Sequence, residues 1–234
     1  MRATRIVPVR RSVGFRAAML ALASVLLTAC ALPFFISDNE KLETPSPQEK
    51  PFDPGQVAVF LALSGGGTRA AALAYGAMKA LDAILVTGED GSPSSLMREV
   101  DYISSVSGGS FTAAFYAYTA DGPAKERFDE IKKRVLYRDL ELAIAIRLFA
   151  NPLNWFRVPF TYYDRTNVAA DVYDDSIFEG KRFKHLPARP RLILNATDLV
   201  TGVRFEFSPE TFRCLESDLA QYPLGNAVAA SSAL

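Results

Sequence analysis

The chain is poor in the residues that most often carry ready-made chemistry. Among its 234 residues there are two cysteines (Cys30 and Cys214), one histidine (His185) and one tryptophan (Trp155). Two cysteines cannot build a disulfide framework, and neither has a second metal ligand at a useful spacing, so no zinc site is expected. A single histidine leaves little room for a Ser-His-Asp triad. His185 lies in "GKRFKHLPARP", a basic, proline-flanked stretch that reads as solvated loop. Long apolar runs are missing as well: "AAMLALASVLL" (17–27) is too short to span a bilayer as a stable helix. Nor is there an excess of positive charge. The 26 basic residues balance 26 acidic ones, and no basic patch speaks for nucleic acid.

That balance hides an asymmetry. Arg2, Arg5, Arg10, Arg11 and Arg16 all precede residue 30, and no acid does. An arginine-rich start, a short apolar run and small residues describe an export signal. It ends in "LTAC" (27–30), which resembles a bacterial lipobox, so residues 1–29 would be removed and Cys30 lipidated. Cys214 is then left without an intramolecular partner and is expected as a small buried side chain. Residues 33–54 hold five prolines and many polar side chains. They cannot bury enough apolar surface to order themselves and read as an extended tether. The expected organisation is a signal peptide over 1–29, a lipidated cysteine and tether over 30–54, and one folded domain over 55–234. The protein would be exported and lipid-anchored to a bacterial membrane. Ala31 favours the outer membrane or periplasmic face, because an Asp there is the usual retention mark.

From residue 56 the pattern is that of a packed domain, with strands and helices alternating. "QVAVFLAL" (56–63) is a continuous apolar run of strand length, as expected for a strand buried on both faces. A turn, "SGGG", leads into "TRAAALAYGAMKALDAI". There Leu73, Ala77 and Leu81, with Ala70, Ala74 and Met78, recur at helical spacing. A second strand–turn–helix follows: "VDYISS", "VSGG", "SFTAAFYAYTA". Helices are expected over 124–136 and 140–149, strands over 191–197 and 203–208, and closing helices in "PETFRCLESDLA" and "GNAVAASSAL". Such alternation implies an α/β sheet, with both glycine-rich turns at the carboxyl ends of strands, where these sheets bind ligands.

"SGGGTR" (64–69) places three glycines before a helix N-terminus, presenting amides suited to phosphate, carboxylate or a developing oxyanion. It also fits a dinucleotide turn, since Gly65, Gly67 and Ala70 satisfy G-x-G-x-x-[GA], with Glu89 and Asp90 near the expected acid. An export signal argues against that reading, which leaves the second turn unexplained. In that turn, Ser105-Val106-Ser107-Gly108-Gly109 aligns with the G-x-S-x-G elbow of serine hydrolases. Gly109 fills the second glycine, and Ser105 replaces the first. Ser107 is the candidate nucleophile, and with His185 in a surface loop its base would be a carboxylate.

"LALSGGGTRAAALAYGAM", "SSVSGGSF", "ILNATDLVTGVRFEF" and "YPLGNAVAASSAL" together resemble the patatin-like phospholipase family, over residues 57–234. The resemblance implies a three-layer α/β domain with helices on both faces of its sheet. It also implies a lipid acyl hydrolase that cleaves carboxylic esters through a Ser–Asp dyad, with no metal or cofactor. By position, Ser107 is the nucleophile, and Gly65, Gly66, Gly67 and Arg69 form the oxyanion segment. Asp198 matches a family segment but not the catalytic aspartate, which belongs to a D-G-[GA] motif after the "ASSA" helix. Asp90-Gly91 and Asp121-Gly122 stand in neither the right context nor the right place. The resemblance thus implies a base beyond Leu234, a missing C-terminal part of the sheet, and little or no turnover by these 234 residues alone. Two other readings stand beside it: a dinucleotide- or phosphate-binding module, and a tethered surface protein without catalysis. The aromatic stretch "NWFRVPFTYYDR" (154–165) fits an acyl pocket, a bilayer contact or core packing under a loop.

Overall fold

The computed structural model describes residues 39–41, 57–88, 91–161 and 163–232. The export signal, Cys30, Glu89, Asp90 and Tyr162 lie outside them. In chain order the elements are β1 (Phe60–Leu63), α1 (Gly67–Asp82), β2 (Leu85–Thr87), β3 (Pro93–Ser95), β4 (Tyr102–Val106), α2 (Gly108–Tyr118) and α3 (Ala124–Ile131). Then come α4 (Leu140–Ala150), α5 (Pro152–Phe160), α6 (Arg165–Tyr173), β5 (Arg191–Thr197), β6 (Arg204–Phe207), α7 (Pro209–Cys214) and α8 (Leu224–Ser232). Both α3 and α6 run on into a π-helical turn.

The main sheet has the order β1-β4-β5-β6, with β1, β4 and β5 parallel and β6 antiparallel to β5. A separate hairpin, β2–β3, interrupts the crossover from β1 to β4. Pairing Leu61 with Ile103, and Ile103 with Leu192, sorts the side chains by face. Leu63, Ile103, Ser105, Leu192 and Leu194 are buried on one face. On the other, Phe60 is 69% exposed and stacks on Tyr102 with ring centroids 4.7 Å apart. Ala62 and Val106 on that face are exposed as well, whereas Tyr102, Ser104 and Ile193 are half-buried. The expectation of a doubly buried first strand is thereby corrected. β1 is an edge strand, and Val57 and Phe60 project into solvent.

Helix α2 is the axis of the core. Every residue from Gly108 to Ala117 is buried, as an all-round apolar or small composition dictates. It lies against β4 and β5 on one side and α1 on the other. In α1, Ala70, Ala74 and Met78 form the buried stripe, whereas Leu73 is exposed. Ala70, Ala71 and Ala74 keep the inward side small where α1 packs against α2. Thr112 Oγ1 donates to the Ala71 carbonyl at 3.0 Å across that contact.

Two further expectations are corrected. Cys214 is exposed, not buried. The short α7 turns Phe212 inward, so the cysteine two residues on falls on the opposite side. Within the stretch expected to be free tether, residues 39–41 are docked. Asn39 Nδ2 donates to Ser217 Oγ (2.7 Å) and to the Asp218 carbonyl (2.8 Å), and Lys41 bridges to Ser217.

The C-terminal end of α2 is held by Arg127 of α3, which is 3% exposed. Its Nε donates to the Thr119 carbonyl at 3.0 Å, and Nη2 to those of Ala120 and Gly122 at 2.6 Å each. The guanidinium also lies 4.6 Å from the centroid of the Tyr116 ring. A cation here satisfies the C-cap carbonyl and those of the turn that follows the helix, and it complements the helix dipole. Arg127→Met keeps the stem but removes three donors, at a cost of about 3 kcal/mol. Thermal unfolding should move down by about 6–12 °C. An unchanged midpoint would assign Arg127 no part in holding α2.

Candidate active site

Where β4 ends, the chain turns into α2 within one residue, Ser107. Its backbone has φ 51° and ψ −124°, on the positive-φ side that a residue with a Cβ rarely occupies. Among the described residues, only Ser107, Glu179 and Glu216 are non-glycines with positive φ. The strain persists because the turn is gripped from both sides.

One grip is steric. A methyl on Gly108 would overlap the Gly67 carbonyl oxygen and sit 2.7 Å from its carbon, so the two backbones touch. A Cβ on Gly109 would lie 2.7 Å from the Ser64 carbonyl, and one on Gly65 would lie 3.1 Å from Ser107 Cβ. The turn after β1 itself needs positive φ at Gly66 (134°) and Gly67 (63°). The two glycine turns therefore interlock at neighbouring strand ends. Gly65, Gly66 and Gly67 are exposed, as is Arg69 on the first turn of α1. Gly67 and Gly108 open their helices, so neither amide has an intrahelical acceptor. Two helix N-termini thus converge beside Ser107, an arrangement suited to negative charge.

The other grip is polar. Ser107 N–H donates to Ser231 Oγ of α8 at 3.0 Å. Ser231 Oγ donates in turn to the Asn195 carbonyl at 2.6 Å and lies 2.9 Å from Ser110 Oγ. Ser110 donates to Ser105 Oγ at 3.1 Å. Asn195 Nδ2 reaches Ser104 Oγ and the Ser105 carbonyl, each at 3.0 Å. Ser105, Ser110, Asn195 and Ser231 are all buried. The four serines of "ISSVSGGSF" are thereby separated. Ser104, Ser105 and Ser110 are engaged in this network. Ser107 is partly exposed, makes no cap to its own helix, and no described side chain bonds its Oγ. Asn195 and Ser231 were not singled out from the sequence, although both lie in segments that carry the family resemblance.

Other candidates lie elsewhere. His185 is exposed, and its Nδ1 accepts from the Arg182 amide at 3.0 Å. Asp198 closes the β5–β6 turn. Its carboxylate accepts from the Thr201 hydroxyl (2.6 Å) and the Val200 amide (3.0 Å), and these bonds hold it below the usual carboxylate range. A dinucleotide site would need its acid at the end of the strand beside β1. That strand is β4, which ends at Val106, whereas Glu89 and Asp90 lie outside the described residues and precede it in the chain.

Fold and site together define an α/β protein with a strained serine elbow at the carboxyl edge of its parallel strands. The chain belongs to the patatin-like phospholipase family, whose family model matches residues 61–234. No curated protein is detectably similar. Among solved structures, human GIVD cytosolic phospholipase A2, determined with methyl gamma-linolenyl fluorophosphonate and terbium chloride, is similar over 94% of this chain. The identity is 16% and the TM-score 0.49, and the match spans 35% of that longer protein.

If Ser107 is strained as its φ indicates, glycine should be preferred to alanine there, reversing the usual order. Ser107→Gly should be more stable than Ser107→Ala by about 1 kcal/mol in urea unfolding. Alanine at least as stable as glycine would contradict the strained elbow. Gly108→Ala should cost about 3 kcal/mol or more, because it drives backbone into backbone.

Proposed function

We propose that this domain is the nucleophile-bearing part of a lipid acyl hydrolase, a phospholipase-type serine esterase. The observation that carries the reading is the state of the Ser107 hydroxyl: partly exposed, unbonded within the described residues, and beside two helix N-termini. Its Oγ attacks the ester carbonyl carbon while an aspartate outside the described residues takes the proton. The carbonyl oxygen becomes an oxyanion and is held by amides of the Gly65–Gly67 segment, with Arg69 adding positive charge. As that intermediate collapses, the C–O bond to the alcohol breaks and the same proton passes to the leaving oxygen. Water, activated by the same aspartate, then releases the fatty acid and restores Ser107. None of these steps calls for a metal or a cofactor.

Lipid or phospholipid esters are the substrates this reading implies. It also places the domain at a membrane through a lipid on Cys30. From that residue to docked Asn39 the chain can reach at most about 30 Å.

The test uses the full-length protein, so that the base is supplied. Fatty-acid release from phospholipid vesicles should fall by at least about a thousandfold in Ser107→Ala. Release that survives the substitution removes Ser107 from the chemistry. Tight binding of a nicotinamide dinucleotide without ester hydrolysis would instead favour a phosphate-binding role for Gly65–Gly67. Absence of both activities would favour the tethered, non-catalytic protein.

A further inference from the structure

Hydrogen bonds from three other segments meet at one atom, Ser231 Oγ, which α8 brings to the elbow. Its single proton goes to the Asn195 carbonyl, so toward the Ser107 amide it can only accept. That bond fixes the plane of the peptide between Val106 and Ser107. The Cα–Cβ bond of Ser107 leaves the chain beside that plane, so a shift of the amide re-aims the hydroxyl. Ser231 is buried, out of reach of bulk water that could replace it. Its helix has nine residues and is about 13 Å long. Over so short a rod, what is fixed at one end is carried to the other.

The other end of α8 is set against the π-helical turn that follows α6, Asp174–Phe178. A Cβ on Gly225, the second residue of α8, would lie 2.8 Å from Asp174 Oδ1, 2.9 Å from the Asp174 nitrogen and 3.0 Å from the Ala170 carbonyl oxygen. Helix and turn thus meet with no side chain between them, as the two glycine turns do at the elbow.

Charge holds the same contact. The first turn of α8 leaves backbone amides without intrahelical acceptors, and α8 has no acid of its own there. Asp174 supplies the anion from across the contact and complements the helix dipole. Burial pushes its carboxyl above the usual range, while the Gly225 amide that it faces draws it back. A carboxyl raised in the folded state does not stabilise the fold by its charge. The neighbouring Tyr173 packs edge-on against Phe111 in the first turn of α2, with ring centroids 4.8 Å apart. The end of α6 therefore touches both helices that frame Ser107.

We propose that Ser231 is a positioning residue for the reaction of Ser107, and that the Asp174–Gly225 contact at the opposite end of α8 sets where Ser231 stands. The proposal rests on the reading of Ser107 as the nucleophile and adds what aims its hydroxyl. Ser231 and Asp174 take no chemical step themselves.

The test follows a fluorophosphonate reacting with the full-length protein, separating the maximal rate of Ser107 modification from the half-saturating concentration. Deuterium exchange over residues 104–110 and the unfolding midpoint are read beside it. Ser231→Ala should lower the maximal rate by at least about tenfold, at unchanged half-saturation, and speed exchange at the elbow. Ser231→Thr keeps the hydroxyl and should recover most of the rate. Asp174→Ala should lower the rate by about threefold without lowering the midpoint at neutral pH. Asp174 is half-buried, so this variant reads the contact even if Ser231→Ala does not fold. In a Ser231→Ala background, Asp174→Ala should change nothing further, because its effect travels through Ser231.

Modification of Ser231→Ala at the unsubstituted rate overturns the proposal, and so do additive effects of the two substitutions. Rates that fall only in step with the unfolded fraction assign both residues to stability and also overturn it. Each of those results leaves the nucleophile reading standing. Unsubstituted protein that is never modified at Ser107 removes that reading, and the proposal falls with it.

Discussion

The contact between the Gly108 and Gly67 backbones is the constraint on which the site depends. A parallel strand pair brings the ends of β1 and β4 side by side, but ordinary side chains would hold the following turns apart. Removing every Cβ from the contact lets one helix start against the other. Ser107 is then forced to turn through a positive φ, and its side chain is the one Cβ that the junction presents. The turn that strains the backbone also leaves the hydroxyl without a partner among the described residues.

Polar bonds complete what close approach begins. Because Ser231 accepts the Ser107 amide, α8 is tied directly to the elbow, and through the Asn195 carbonyl to the end of β5. That amide is occupied, so under the proposed mechanism the oxyanion donors would be amides of the Gly65–Gly67 segment and Gly108. Beyond the far end of α2, Arg127 holds the carbonyls of the following turn. The buried helix is thus fixed at its start by a residue far along the chain and at its end by one from the next helix. Nothing in the arrangement requires the hydroxyl of Ser107 for stability.

Much of this was legible in the sequence where one residue type has one physical use. "SGGG" and "VSGGS" announce turns that exclude side chains, and their place after apolar runs put them at strand ends. What was not legible depends on partners far along the chain. Whether "QVAVFLAL" is central or at an edge is decided by which strands flank it, so Phe60 read as core and is exposed. Leu73 and Met78 have equal claim to the core by periodicity, and the close approach of α2 decides between them. Cys214 looked buried by type, but a six-residue helix gave the inward position to Phe212. The aromatic stretch after residue 154 turned out to be mostly helix with Trp155 outward, and the side-chain bonds that allow this join residues six and seven apart. Ser231 and Asn195 carried no chemical signal of their own, because a buried serine is recognised only by what it bonds.

The central claim is that, of four serines within seven positions, only Ser107 is free to react. It is tested most directly by trapping the full-length protein with a fluorophosphonate or a slowly released activated ester and mapping the adduct by tandem mass spectrometry. A single modification on Ser107 is expected, with Ser104, Ser105 and Ser110 unmodified. An adduct on any of those three, or ester turnover with no adduct on Ser107, would contradict it.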